Sequence, residues 1–179
     1  FGTNPLSFAW PCAGKPPMVF DMATAAMARG EIQVAAREGH TVHDGAGIDK
    51  DGKPTNDPNA ILEGAQLAFG GTKGALLALM VELMAGPMIG QPFSVEQAAG
   101  DNNDGGPTTG GEFLLAIDPG RLSGNAGVLD HAEKLFDEVL AQEGTRLPAE
   151  RRYQVRAGNE ANGIEIPTTL YDTIKALTA

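Results

Sequence analysis

Phe69-Gly70-Gly71-Thr72-Lys73-Gly74, with the run from Ala75 to Ala85 behind it, is the stretch on which the reading of this 179-residue chain turns. Leu76, Leu77, Leu79, Met80, Val81, Leu83 and Met84 leave Glu82 as the only charge in that run. A helix apolar on all sides is expected to be buried. About a dozen apolar residues fall short of the roughly 20 that a bilayer span needs, and no other stretch reaches that length. Two glycines, a hydroxyl and a lysine at a helix start offer an anion free N–H groups, the positive end of the dipole and an ammonium. The same residues also suit a plain glycine turn with a threonine cap and a solvated lysine. The Walker pattern Gly-x4-Gly-Lys-Ser/Thr is not met, and no Rossmann Gly-x-Gly-x-x-Gly occurs.

Outward from that stretch, residues 6–10 read as a short strand ended by Pro11, 12–17 as a turn and 18–22 as a buried strand. Residues 24–38 have helical composition, with Thr24 as N-cap and Gly39 just past the end. Residues 40–59 read as loop, and Asp57-Pro58 as a cap and first helical residue opening a short helix through Leu62. Beyond Gly86-Pro87, residues 98–111 form a Gly/Asp/Asn run, and 112–117 read as a second strand. Residues 129–142 are amphipathic, with Leu129, Ala132, Leu135, Phe136, Val139 and Leu140 on one side. A basic loop over 146–156 and a last helix over 167–177 complete the chain, which shows no internal repeat.

The length suffices for one domain with a core of its own. A net charge of −10 and a pI near 4.6 argue against nucleic acid or an anionic membrane as partner. A single cysteine, Cys12, rules out an internal disulfide and fits a reducing, cytoplasmic compartment. With 24 glycines and 12 prolines, long ordered loops are expected. The chain opens at Phe1 without a signal-like segment, and its first residues read like the middle of a domain, so a fragment is expected.

Several residues bear on chemistry. Asp21 stands where a strand gives way to a helix, a place where ligands gather in open α/β structures. It can accept hydrogen bonds from ligand hydroxyls, or cap its own following helix. Glu31 has Met27, Val34 and Ala35 at helical spacing and no basic partner, which places a carboxylate on an apolar face. Such a group is either an ill-placed surface acid or a functional one. Gly30 beside it costs the helix roughly 1 kcal/mol against alanine, which suggests close packing against the backbone there. Arg146, Arg151, Arg152 and Arg156 gather four of the thirteen basic residues within eleven positions. They form either a solvated turn or, with Lys73, a pair of phosphate contacts for a dinucleotide. His40, His43 and His131 lack the spacing of a zinc site, and no metal is expected. A Gly-x-Ser-x-Gly elbow is absent.

Six motifs in order carry a resemblance: Phe1-Gly2-Thr3-Asn4-Pro5, Val19-Phe20-Asp21-Met22-Ala23-Thr24, Ala28-Arg29-Gly30-Glu31-Ile32, Thr55-Asn56-Asp57-Pro58, Phe69-Gly70-Gly71-Thr72-Lys73-Gly74 and Arg146-Leu147-Pro148. Together, across nearly the whole chain, they resemble the type-2 malate/L-lactate dehydrogenase family, which reduces 2-oxo acids or cyclic 2-imino acids with NADH or NADPH. The resemblance implies a mixed α/β sandwich that is not Rossmann, present here as a carboxy-terminal part. It implies a cofactor-binding segment over 1–155 and a segment over 156–179 returning to a helical amino-terminal domain. Thr3, Arg29 and Gly30 would border the substrate, and Glu31 would orient the catalytic histidine. Asp21, Met22, Ala23, Thr72 and Lys73 would line the cofactor, and Thr145-Arg146-Leu147-Pro148-Ala149-Glu150-Arg151 would close over it. The family often has His where Thr72 stands. At position 31 malate dehydrogenases often carry Lys, whereas the Δ1-piperideine-2-carboxylate/Δ1-pyrroline-2-carboxylate reductases carry an acid, so Glu31-Ile32-Gln33 resembles the reductase branch. The family's proton-donating histidine lies upstream of every motif quoted, so these residues alone are expected to be inactive. The resemblance further implies a homodimer, and the arginine cluster favours NADPH over NADH. Two rival readings stand beside this one: a 2-hydroxy-acid dehydrogenase, and a non-catalytic dinucleotide-binding module.

Overall fold

Ile32, Ala35, Val42, Ala46 and Ile61 bury their side chains together in the computed structural model, with Met27 and Leu62 packed against them. The structure describes residues 2–100 and 110–177. Two compact units are present: Phe1–Phe8 with Asp21–Asp118, and Ala9–Phe20 with Pro119–Ala179.

In the first unit, α1 (Arg29–Glu38) supplies Ile32 and Ala35 to the core and ends at Gly39 in the left-handed region, as the sequence suggests. Its start does not follow the sequence. Thr24 is 1% exposed, and its N–H and hydroxyl donate to the Thr3 carbonyl at 2.9 and 3.0 Å. Its own carbonyl accepts from the Phe69 N–H at 3.0 Å. These tertiary bonds occupy the groups that a cap and first turn would use, so the helix begins five residues later, at Arg29.

Three two-residue strands follow: β3 (Gly47–Ile48), β4 (Pro54–Thr55) and β5 (Ala65–Gln66), counted after the hairpin strands β1 and β2 described below. They form an antiparallel sheet in the order β4-β3-β5, with Gly47 opposite both Thr55 and Gln66. Helix α2 (Pro58–Glu63) lies against α1 and this sheet. Asp57 caps it by accepting from the Asn59 N–H at 2.9 Å, with Pro58 in the first turn.

Helix α3 (Thr72–Ala85) inverts the expectation of burial on all sides. Its buried residues are Gly74, Ala78 and Glu82, while Leu76 is 60% exposed. Glu82 points inward while Leu76, Leu79 and Leu83 are exposed, and Asn4 donates to the Ala78 carbonyl and to Glu82 on the inward face. Continued through the 3-10 turn Pro87–Ile89, the stretch Thr72–Ile89 spans 18 residues with a mean hydropathy of 1.4. By length and composition that is enough to cross a membrane, contrary to the sequence reading. Glu82 and the break at Gly86-Pro87 lie within it. Helix α4 (Ser94–Ala99) follows.

Residues 112–117 do not form the expected strand. Leu114 and Leu115 are 88% and 71% exposed, and no ladder partner for the segment occurs among the described residues. An apolar run becomes a strand only where another edge accepts its backbone groups. Most of the expected 98–111 loop lies outside the described residues.

Strands β1 (Leu6–Cys12) and β2 (Lys15–Met22) pair as a hairpin turning at Ala13-Gly14. Pro11 lies inside β1 rather than ending it, and Pro16 and Pro17 lie inside β2; a two-stranded ribbon leaves open edges where proline costs no ladder bond. Met18, Val19 and Phe20 are half-buried, not buried.

In the second unit, α5 (Pro119–Ser123) precedes α6 (Val128–Leu140), which is amphipathic as expected and buries Phe136. Lys15 pairs with Glu133 at 2.5 Å; the ammonium holds that carboxyl below its usual range, and the carboxylate raises Lys15. Tyr153 donates to the Pro17 carbonyl at 2.8 Å. Helix α7 (Glu150–Asn162) replaces most of the expected basic loop and runs through positions 155 and 156. Arg, Glu and Ala favour helix, and that propensity outweighs the charge density. Helix α8 (Thr168–Ala176) closes the described chain.

Candidate functional site

The first unit holds an open cleft of about 490 Å³, lined in part by Gly2, Thr3, Asn4, Asp21, Glu82 and Ser94. Thr3 and Asp21, named from sequence for substrate and cofactor, therefore share one cavity. Thr3 is held by its carbonyl, which takes both bonds from Thr24. Asp21 and Met22 are exposed at the end of β2, and Ala23 is half-buried beside them. Asp21 does not cap a following helix, since α1 begins eight residues later.

Arg29, Gly30 and Glu31 form the exposed first turn of α1, outside the lining of the cleft. The approach to this turn is braced where Gln66 donates to the Met27 carbonyl at 2.6 Å. Glu31 reaches back to the Ala28 N–H at 3.4 Å. The apolar face of α1 is the one carrying Ile32 and Ala35, and Glu31 and Val34 lie off it. The expected apolar setting of Glu31 is thus wrong: spacing to Met27 and Ala35 did not distinguish the edge of the buried stripe from its centre. Gly30 is not packed against anything either, since a Cβ there would meet nothing within 4 Å.

Thr72 and Lys73 are exposed in the first turn of α3. Gly70 and Gly71 take φ of 58° and 61°, a left-handed turn that glycine adopts without strain. Gly71 is the N-cap and supplies no side chain to the first-turn N–H groups, so Thr72 is not the cap. A Cβ on Gly74 would stand 1.8 Å from the Phe69 carbonyl oxygen, so only glycine lets the helix start this close to its own loop. Free N–H groups, open space over two glycines and one ammonium are the donor set an anionic cofactor requires.

Residues 145–151 belong to the second unit. The Thr145 hydroxyl donates to the Val139 and Gln142 carbonyls, and the Glu150 carboxylate accepts from the Leu147 N–H at 3.3 Å. Ala149, at φ 68°, is a non-glycine residue in the left-handed region. Arg146 and Arg151 are exposed, as is Pro148, while Arg156 pairs with Glu160 at 3.0 Å.

Sequence reading missed a buried polar group in the lining of the cleft. Glu82 is 8% exposed and accepts from Asn4 Nδ2 at 2.7 Å, from Ser94 N–H at 2.5 Å and from the Ser94 hydroxyl at 2.6 Å. Burial alone would push this carboxyl up, but the hydrogen bonds from Ser94 and Asn4 prevail and hold it below its ordinary value. The signal was present as the only charge in an apolar helix. The described residues contain no cluster of His, Cys, Asp and Glu fit to hold a metal ion.

The Δ1-pyrroline-2-carboxylate reductase of Ancylobacter novellus is 48% identical over 181 residues, covering 98% of this chain and 52% of that protein. The Δ1-pyrroline-2-carboxylate/Δ1-piperideine-2-carboxylate reductase of Pseudomonas aeruginosa is likewise 48% identical, covering 99% and 53%. The crystal structure of Δ1-piperideine-2-carboxylate reductase from Pseudomonas syringae pv. tomato superposes with a TM-score of 0.91 at 41% identity, over 99% of this chain and 53% of that one. The chain thus spans about half the length of the curated relatives it matches. The mixed α/β fold is that of the type-2 malate/lactate dehydrogenases, as expected. The malate/L-lactate dehydrogenase family model matches residues 1–175, and the chain belongs to that family.

Proposed function

We propose that the protein containing this chain reduces a cyclic 2-imino acid with NADPH, converting Δ1-piperideine-2-carboxylate to L-pipecolate and Δ1-pyrroline-2-carboxylate to L-proline. The carrying observation is Glu31, an exposed carboxylate on the first turn of α1 whose one described bond is the long contact to the Ala28 N–H. Such a group is free to accept from an imidazole, fix its tautomer and stabilise its charged form. The histidine that gives its proton to the imine nitrogen comes from outside residues 1–179. The cofactor, when bound, supplies the hydride that reaches C2 of the substrate.

The remaining roles follow the same reading. Thr3, Arg29 and Gly30 border the substrate carboxylate and ring. Asp21, Met22 and Ala23 lie along the nicotinamide half of the cofactor. Thr72 and Lys73, at the uncapped start of α3, take an anionic group. The segment 145–151, with Arg146 and Arg151, closes on a phosphate, which favours NADPH over NADH. The lone Cys12 supports a cytoplasmic setting, and the exposed leucines of α3 support a homodimer.

The test is NADPH oxidation by the full-length gene product with Δ1-piperideine-2-carboxylate, oxaloacetate and pyruvate. Preference for the cyclic imine is expected, with Glu31→Gln losing about 10²- to 10⁴-fold in kcat, as when a triad's orienting acid is neutralised. Preference for a 2-oxo acid would move the substrate to the malate/L-lactate side of the family and discard the use made of position 31. Residues 1–179 alone are expected to show no turnover with any of the three; measurable turnover would place the proton donor inside this chain.

A further inference from the structure

Glu82 is not needed to build α3, since an apolar residue at that position would bury at no electrostatic cost. It is also not a stray charge, because its carboxylate reaches both ends of one short segment. Asn4 Nδ2 donates to Glu82 Oε2 at 2.7 Å and to the Ala78 carbonyl at 2.9 Å. At the other end, the Gly2 N–H donates to Ser94 Oγ at 2.9 Å, and that hydroxyl donates to Glu82 at 2.6 Å. Thr3 lies between these two anchors. Asn4 itself sits at φ 38°, a left-handed conformation that asparagine tolerates better than most residues, though at a cost. The strained residue and its bonds to a buried acid therefore belong together.

From this geometry we infer that Glu82 is a positioning residue: it clamps Gly2 and Asn4 so that Thr3 is presented to the substrate. The inference rests on the proposed role of Thr3 in substrate binding. The Thr3 carbonyl accepts from the Thr24 N–H and hydroxyl, which ties the clamped segment to the body of the unit. The carboxylate serves because it is acceptor-only, whereas both Asn4 Nδ2 and the Ser94 N–H are donors. A glutamine at 82 keeps one acceptor oxygen and turns an amide toward the other donor, so one anchor is lost.

The experiment uses the full-length protein, Δ1-piperideine-2-carboxylate and NADPH. Glu82→Gln is expected to raise the KM for the imino acid about tenfold, with kcat within about twofold and the NADPH KM unchanged, the signature of lost substrate binding. Ser94→Ala removes the Gly2 anchor while leaving the carboxylate partnered, and is expected to show the same split at smaller size even if Glu82→Gln does not fold. An unchanged imino-acid KM in Ser94→Ala and in any folded Glu82→Gln would overturn the inference. Hydrogen exchange at the Thr24 amide reads the clamp without any turnover. It is expected to quicken about tenfold in either variant, with Ile32 in the core unaffected. Quickened exchange in a protein whose wild type reduces none of the substrates would refute the proposed reaction and leave the clamp standing. Unchanged Thr24 exchange would refute the clamp whatever the activity.

Discussion

At the scale of single residues, Glu82 also sets a pH dependence. Its carboxyl is held below its ordinary value when folded, so its stabilising contribution is complete above the unfolded value and is lost as pH falls through the folded one. Chemical denaturation from pH 7 down to pH 3 should therefore show wild type losing stability on acidification faster than Glu82→Gln, which has no proton to take up there. Parallel curves for the two proteins would mean the bonds from Asn4 and Ser94 do not favour the charged form. Glu82 was visible in the sequence as a lone acid, but its importance was not, because Asn4 and Ser94 lie 78 and 12 positions away and no spacing rule joins them. Glu31 teaches the reverse: a pattern read as apolar on the helix proved to lie at the rim of the buried stripe. Thr3, named only by the family resemblance, and Asp21, named by its place at a strand end, both line one cleft.

At the scale of elements, legibility followed how local the deciding physics is. Asp57-Pro58, Gly39 and the amphipathic α6 are set by caps and periodicity within a few residues, and they stand where the sequence put them. Thr24 failed as a cap because partners far along the chain claimed its backbone. Residues 112–117 failed as a strand because pairing needs a second edge. The start of α3 carries its own test. A methyl group on Gly74 would have to displace the Phe69 carbonyl, so Gly74→Ala should cost about 1–3 kcal/mol in denaturant unfolding, the usual range for overpacking a tight contact. It should also raise the NADPH KM by moving Thr72 and Lys73. A neutral substitution would show that the loop can retreat without penalty, and that the close approach is incidental.

At the scale of the whole chain, the division into units was not legible. It follows no shift in composition and no linker. The polypeptide passes between the units at 8/9, at 20/21 and at 118/119, and the hairpin strands β1 and β2 each run through one of these points. Neither unit is continuous in sequence. A single genetic crossover between two related coding sequences therefore cannot leave both units intact: wherever it falls, at least one unit is left with parts from two parents. Substitutions on the two sides of such contacts as Lys15–Glu133 and Tyr153–Pro17 must then be inherited together or be tolerated apart. On this gene, recombination samples mixtures within a unit, and only three breakpoints together, at 8/9, 20/21 and 118/119, can trade one whole.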